Sequence, residues 1–302
     1  MKRMIMIGLL AGIFYTATAQ VSNQYNLYYA DLYAINPSVV ALRSSFSASM
    51  NTMLSNAGFE GSPTLFNLAV GGGLAENMGV GTRFHANSQG GFQSNSWLAS
   101  YGYRLRLGDS GHFLAMGLSA GIYWQRFNPA GIEAVRLDDP VLESSYYRKQ
   151  HFMNELGIIY RWNDLVAGFS APFVVQLYNH YMGHVSYTYD IPGADGLTVQ
   201  PFVLYQYLPE GTSQVDATVK VRYKNIWTAI GYRSNNNVLA ALGVRYKDYR
   251  LAYSYEFNNQ ELSHIASSTH EIMFTYDFSL DLDFEKKRAS YDSEQLPWMD
   301  DR

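Results

Sequence analysis

Apolar and polar residues alternate along most of this chain. From about Phe46 to Phe278, roughly fourteen segments of about 8 to 15 residues repeat with a period of two and are separated by turn residues. The last segment shows the pattern well, since its apolar side chains occupy every second position: Ile272, Phe274, Tyr276 and Phe278. No sustained period of 3.6 residues accompanies this alternation, so the pattern predicts an all-β, antiparallel chain.

The lengths of the connections decide between two all-β architectures. A soluble sandwich would alternate in the same way, but it has no reason to place short and long connections in turn. After even-numbered strands the connections are mostly tight, at Glu76-Asn77, 109–111, Asn163-Asp164, Lys224-Asn225 and Lys247-Asp248, and a longer turn at 192–196 completes the set. After odd-numbered strands they are mostly longer, notably 55–63, 128–149 and 258–267, although 235–237 is short. Short periplasmic turns and longer outer loops are typical of outer-membrane barrels. We therefore predict a transmembrane antiparallel β-barrel of about fourteen strands over residues 44–280, with both termini in the periplasm.

The composition agrees with a surface that meets lipid. The chain contains 25 Tyr, 16 Phe and 5 Trp and is 15% aromatic, whereas charged residues make up 16%, against a usual figure of about 25%. The mean hydropathy of −0.17 remains low because polar residues alternate with the apolar ones instead of collecting in loops. A barrel with an apolar outer face and a polar lumen has this average.

The two ends of the chain depart from the alternation. Lys2-Arg3, the apolar run from Met4 to Tyr15 and Ala17-Thr18-Ala19 predict a signal peptide over residues 1–19, with cleavage near Ala19-Gln20. Residues 20–43 are expected to form a periplasmic or plug segment. Residues 281–302 are charged and are expected to form a periplasmic tail.

Several function classes lose support. The net charge of −4 and the lack of a basic stripe argue against a nucleic-acid partner. The chain has no cysteine, which removes disulfides, thiolate metal sites and a cysteine nucleophile. His270-Glu271 begins like a zinc-binding helix, but Phe274 occupies the position of the second histidine and the segment alternates as a strand. We expect no cofactor, no metal and no enzymatic activity.

Two carboxylates fall on the polar, lumen-facing positions of neighbouring strands, Glu256 and Glu271. A paired general acid and base would use such residues. Cations crowd the preceding strands, however, and some should share the lumen: Lys220, Arg222, Lys224, Arg233, Arg245, Lys247 and Arg250. We therefore predict a compensated charge network, with Arg222, Arg245 and Arg250 facing Glu256 and Glu271, in preference to a catalytic pair.

Short motifs spread along the chain carry a family resemblance. At the start stand Asn23-Gln24-Tyr25 and 32–38, which ends Ile35-Asn36-Pro37-Ser38. Near the end stand Tyr253-Ser254-Tyr255-Glu256 and Thr269-His270-Glu271-Ile272. In these motifs the chain resembles the PorP/SprF family of type IX secretion membrane proteins, although Ala30-Asp31 replaces the first Asn-Pro of the family pattern.

The resemblance implies a function as well as a fold. Such proteins are outer-membrane barrels that work with the type IX translocon, which exports proteins bearing a C-terminal sorting domain and in some bacteria supports gliding. The implied partners are other secretion components, such as periplasmic ring, lipoprotein and translocon subunits, or sorting-domain cargo, together with outer-membrane lipid. The alternative is a transporter or channel for a small solute, since these barrels are also similar to fatty-acid transporters.

The fatty-acid transporter comparison suggests a role for Asn36-Pro37. Proline fixes φ and biases the preceding residue to extended geometry, so a bend there would send the aromatic run with Tyr25, Tyr29 and Tyr33 into the lumen as a plug. The alternative is that Asn36-Pro37 only caps the start of the first strand. Both interpretations are open at the level of sequence.

Overall fold

The computed structural model describes residues 25–57, 61–108, 111–127, 148–172, 180–207, 213–257 and 268–280. The predicted signal peptide, the outer loop at 128–147 and the charged tail at 281–302 lie outside these residues. Two 3-10 helices come first, η1 (Leu32–Ala34) and η2 (Pro37–Ala41). None of the described residues belongs to a helix that is long and apolar enough to cross a membrane.

The remaining described elements are β-strands. Their bounds are β1 (Phe46–Leu54), β2 (Thr64–Ala75), β3 (Met78–Gln89), β4 (Phe92–Arg106), β5 (His112–Phe127), β6 (Arg148–Trp162), β7 (Leu165–Pro172), β8 (Tyr181–Tyr187), β9 (Tyr189–Asp190), β10 (Leu197–Tyr207), β11 (Ser213–Tyr223), β12 (Ile226–Arg233), β13 (Asn237–Tyr246), β14 (Tyr249–Phe257) and β15 (Ser268–Phe278).

Apart from β8 and β9, strands that follow one another along the chain pair antiparallel, and β15 pairs with β1, so the sheet closes on itself. The two short segments β8 and β9 pair with the same strand, β10, on either side of Thr188. They form one interrupted strand, and the described residues therefore make a closed barrel of fourteen strands. The predicted fold is confirmed.

The burial pattern of the strands follows the alternation in the sequence. In β12, Ile230 is 69% exposed whereas its neighbour Ala229 is 3% exposed. In β1, Met50 is 46% exposed and Ser49 only 1%. Apolar side chains thus face outward and small or polar ones face inward, which inverts the pattern of a soluble protein. Lipid around the barrel favours this arrangement, and the pairing of β1 with β15 closes the described sheet.

The two ends of the barrel differ. The short-turn end carries the two-residue connections 76–77, 163–164, 224–225 and 247–248, whereas the long-loop end carries the connections 55–63, 128–147 and 258–267. Tight turns of this kind bring Asn163, Lys224 and Lys247 to φ values of 50°, 52° and 53°, in the left-handed region. The predicted asymmetry of the connections is therefore present in the strand bounds.

Residues 25–45, called the inner segment below, lie inside the barrel. Leu27, Leu32 and Val39 are completely buried there. Tyr25 clusters with Met53 and Leu65, which stand next to the long-loop end of β1 and β2. The segment then crosses the lumen and leads into β1 at the short-turn end. The alternation of apolar and polar residues in the strands does not predict the direction in which the inner segment runs through the lumen.

Glycines on the inner face of the barrel make room for this segment. A Cβ added at Gly79 would lie 1.9 Å from the carbonyl oxygen of Val40, and one at Gly117 would lie 2.3 Å from the backbone nitrogen of Ser38. At Gly157 it would lie 2.1 Å from Oδ1 of Asn36. The helix η2 therefore lies directly on the backbone of β3, β5 and β6, an approach that a side chain at these positions would prevent.

Candidate functional site

The interface between the inner segment and the barrel wall holds most of the buried charged groups in the described residues. It is built from side chains on the lumen-facing positions of the strands, which the pleat directs inward. We treat this interface as the candidate functional site because it holds the inner segment inside the barrel.

Glu271 of β15 holds the beginning of the inner segment. Its carboxylate accepts hydrogen bonds from the backbone N–H groups of Asn26 at 2.5 Å and Leu27 at 3.2 Å. It also accepts one from Nδ2 of Asn51 on β1, at 2.6 Å. The residue is completely buried. Backbone amides and a side-chain amide thus take the place of the arginine partner expected from the sequence.

Arg233 of β12 connects two carboxylates and the inner segment. Its guanidinium lies 3.2 Å from Asp216 on β11 and 3.1 Å from Glu256 on β14. It also donates to Oδ1 of Asn26 at 3.2 Å. Glu256 accepts a further bond from Nδ2 of Asn237 at 2.6 Å. Because all three charged side chains are almost completely buried, the pairing compensates for their loss of hydration.

A second ion pair lies within the inner segment itself. Arg43 Nη2 is 2.6 Å from Asp31 Oδ1, and Ser49 of β1 donates to the other carboxylate oxygen at 2.5 Å. The backbone N–H of Tyr33 donates to Asp31 at 3.1 Å. Burial by itself raises the pKa of the Asp31 carboxyl, but the Arg43 charge and these hydrogen bonds outweigh it and hold that pKa below its ordinary value.

Arg83 of β3 is the third anchor. It donates to the carbonyl oxygens of Tyr33 and Ala34, both at 2.7 Å, and it pairs with Glu155 of β6. The guanidinium also stacks over the Tyr33 ring, 5.2 Å from its centroid. The Tyr33 hydroxyl donates to Ser100 of β4 at 2.8 Å.

The Asn36-Pro37 pair closes a turn deep in the lumen. Nδ2 of Asn36 donates to the carbonyl oxygens of Ile158 at 3.3 Å and Phe169 at 3.1 Å, while its Oδ1 accepts from the backbone N–H of Ser38 at 3.0 Å. Pro37 is the first residue of η2, where a missing N–H costs nothing. The pair caps a helix inside the barrel and does not lie at the start of β1.

The predicted aromatic residues of the inner segment all lie in the lumen. Tyr25 Oη is 3.0 Å from Nδ1 of His85 on β3. The Tyr29 ring packs edge-on against Trp227 of β12, with centroids 6.0 Å apart. Tyr33 lies farther along, between Arg83 and Ser100.

The structure does not bring the five predicted network residues together. Arg245 and Arg250 lie at the short-turn end, 3.8 Å and 2.8 Å from Asp277. Arg222 Nε is 3.4 Å from the Thr198 hydroxyl. Glu256 and Glu271 lie toward the long-loop end, and the six positions from 250 to 256 along β14 correspond to about 20 Å. The alternation in the sequence predicts which face of the sheet each residue lies on. It does not predict how far along the barrel axis each residue lies, and this distance separates the arginines from the two glutamates.

The remaining motif residues face outward. Tyr253 Oη is 2.7 Å from Nδ1 of His270, and the Tyr255 ring meets the same imidazole edge-on with centroids 5.0 Å apart. These rings lie near the long-loop end, where aromatic girdles meet the lipid headgroups. Within the described residues, no group of three or more His, Cys, Asp or Glu side chains could hold a metal ion.

Sequence reasoning missed Asp31, Arg43 and Arg83 as anchors. Arg83 could have been predicted from the sequence. It is a charged residue between Thr82 and Phe84, whose positions face outward, so the alternation directs its side chain into the lumen. Asp31 and Arg43 stand outside the strands, where no alternation assigns them a face.

A cavity of about 180 Å³ lies beside the beginning of the inner segment. Its walls include Tyr25, Arg83, His85, Glu155, His180 and Met182. These residues place it between the inner segment and the wall that runs from β3 to β8.

Two solved structures show a similar fold. The monoaromatic hydrocarbon channel CymD aligns with a TM-score of 0.54 and 12% identity, covering 87% of this chain and 96% of that one. A deltaS2 mutant of the monoaromatic hydrocarbon channel TodX aligns with a TM-score of 0.50 and 11% identity, covering 81% and 93%. At this identity the likeness concerns the fold alone.

The sequence assigns the protein to a narrower group of proteins than the fold does. A search among curated proteins found no match. The profile of the PorP/SprF type IX secretion system membrane proteins matches residues 17–276, which is most of the chain. With the barrel fold of an outer-membrane protein and this match, the chain belongs to the PorP/SprF family of type IX secretion system membrane proteins.

Proposed function

We propose that this outer-membrane barrel serves type IX secretion without catalysing a reaction, by docking other translocon components or sorting-domain cargo. The observation that carries the proposal is the inner segment, which fills the lumen and is bonded to the wall by Glu271, Arg233 and Arg83. With these bonds formed, the inner segment acts as a plug. A plugged barrel offers its turns, its loops and its terminal segments to other proteins.

Family membership supports partners within the secretion machinery. At the short-turn end the candidates are periplasmic ring, lipoprotein and translocon subunits. At the long-loop end the connection at 128–147 is the longest between consecutive strands and is the candidate surface for cargo.

Co-purification tests the proposal directly. The protein carrying an affinity tag is isolated from detergent-solubilised outer membranes, and the bound proteins are quantified by mass spectrometry. A tagged barrel from the same membranes that has no role in secretion is the matched control. We expect other type IX components or sorting-domain proteins to be enriched over the control, and an identical set of proteins in both samples would contradict the proposal.

A small-solute channel remains the competing function, and the cavity beside Tyr25 is the observation that favours it. Deletion of the gene distinguishes the two. Retention of sorting-domain proteins inside the cell supports secretion, whereas normal export together with a defect in solute uptake supports the channel.

A further inference from the structure

The inner segment is hydrogen-bonded to some strands of the barrel and only packs against others. Hydrogen bonds from residues 25–42 reach β1, β3, β4, β6, β7, β12 and β15. On the wall formed by β8 and β10 the described contact is packing. The Tyr28 ring lies 5.6 Å from that of Phe202, in a cluster that also contains Leu27, Met182 and Leu204.

The same wall carries a row of buried polar side chains whose polar atoms lack a hydrogen-bond partner in the described structure. They are both ring nitrogens of His184, the hydroxyls of Ser186 and Thr188, Nε2 of Gln200, and both amide atoms of Gln206. Their exposure is between 0% and 7%. Burying a polar atom without a partner is unfavourable, because its hydrogen bonds to water are lost and not replaced.

These residues form a continuous row across the barrel. Gln206 pairs with Met182 in the ladder near the long-loop end, and Ser186 pairs with Phe202 farther along. Thr188 and Gln200 lie in the same register closer to the short-turn end. Successive inward positions on a strand are about 6.6 Å apart, so the row runs through most of the wall. At the long-loop end it meets the cavity, which Met182 and His180 line.

A wall that was always covered would be more stable with apolar side chains at these positions, as Phe202 and Leu204 show on the same strand. The polar row is favourable only when water or a solute reaches it. Leu27 is held by Glu271 and Tyr29 packs against Trp227 of β12, so Tyr28 is the residue of the inner segment whose ring packs against this wall without a described hydrogen bond to it.

We propose that the β8–β10 wall is one side of a passage for small uncharged hydrogen-bonding solutes, which opens when the Tyr28 side chain moves away from it. The amides, the hydroxyls and the imidazole present neutral donors and acceptors, which match the hydroxyl and amide groups of sugars and similar solutes. The anchors at Asn36, Tyr33 and Arg83 keep the rest of the inner segment in place.

Cysteine accessibility tests the passage, because the chain has no cysteine of its own. Ser186→Cys lies in the row, and Ser119→Cys is the matched control, since Ser119 is equally lumen-facing and buried but is bonded to Ser100 at 2.7 Å on the anchored side. Iodoacetamide, itself a small neutral amide, is the probe. Local opening should make Ser186→Cys react about tenfold faster than Ser119→Cys in the folded protein.

A second measurement links access to transport. Proteoliposomes with the Ser186→Cys protein should swell in isotonic glucose, and alkylation of the cysteine should slow the swelling. Gln200→Cys is the substitute if Ser186→Cys does not give the heat-resistant folded barrel. Equal reactivity at the row and control positions, or the absence of glucose-dependent swelling before alkylation, would overturn the proposal.

Discussion

Glu271 accepts a hydrogen bond from the backbone N–H of Asn26 at 2.5 Å, across 245 residues of sequence. The contact joins the last strand of the barrel to the first described turn of the inner segment. The same carboxylate also accepts a bond from Asn51 of β1, so one side chain links the inner segment to the pairing of β15 with β1 that closes the barrel.

Glu271→Ala should loosen the inner segment. The substitution leaves the N–H groups of Asn26 and Leu27 and the Asn51 amide without their acceptor, at a cost of about 1–3 kcal/mol in the free energy of unfolding. We expect a lower heat-denaturation temperature and higher conductance in planar bilayers. Glu76→Gln in a tight turn is the control and should resemble the unaltered protein; the same values for both variants would argue against the contact.

Arg233→Met should be the most damaging single charge removal. It leaves Asp216 and Glu256 buried without their cation, and breaking a buried pair in this way costs about 3–5 kcal/mol. Arg245→Met is the comparison, since Arg245 is 3.8 Å from Asp277 and Arg250 remains on that carboxylate, so its cost should be smaller than that of Arg233→Met. Unfolding in urea measures both. Equal losses would show that burial of the Arg233 cluster contributes little.

Gly117→Ala should displace η2. The added Cβ would lie 2.3 Å from the backbone nitrogen of Ser38, and overpacking of this kind costs about 1–3 kcal/mol. Gly183→Ala is a matched strand substitution whose Cβ would meet its nearest atom at 3.9 Å. We expect only the first to lower the denaturation temperature and to raise conductance, and a destabilised Gly183→Ala would point to strand propensity instead of the close approach.

Removing residues 21–40 should open the barrel. The deletion takes away the buried groups that fill the lumen, from Tyr25 to Val40, while it keeps every strand. Single-channel recordings should then show large, steady conductance. Removal of the tail, residues 281–302, is the control and should leave the conductance unchanged. A deletion of 21–40 that conducts like the intact protein would refute the plug.

Ile230→Lys tests the membrane face. Ile230 is 69% exposed near the middle of β12, and a lysine facing the middle of the bilayer costs about 2–4 kcal/mol. Tyr246→Lys is the control, because Tyr246 is 67% exposed but lies at the short-turn end of β13, where the cost should be about 0–1 kcal/mol. Folding into lipid vesicles gives both values. Similar costs at the two sites would place the apolar layer elsewhere.

The sequence by itself determined the barrel. Alternation decides the face of each strand residue through the pleat alone, as at Ala229 and Ile230, and tight turns such as Asn163-Asp164 mark where strands reverse. The family motifs were also visible without a structure, since they depend on the order of residues along the chain.

Only the tertiary structure decided how the lumen is filled. The alternation predicts that Glu256, Glu271 and Arg250 face the lumen. Their depth in the barrel depends on the register of every strand, and in this register Glu256 pairs with Arg233 and Arg250 pairs with Asp277. Contacts such as that between Glu271 and Asn26 join residues at opposite ends of the chain. No local pattern encodes them, because they form only when closure brings β15, β1 and the inner segment together.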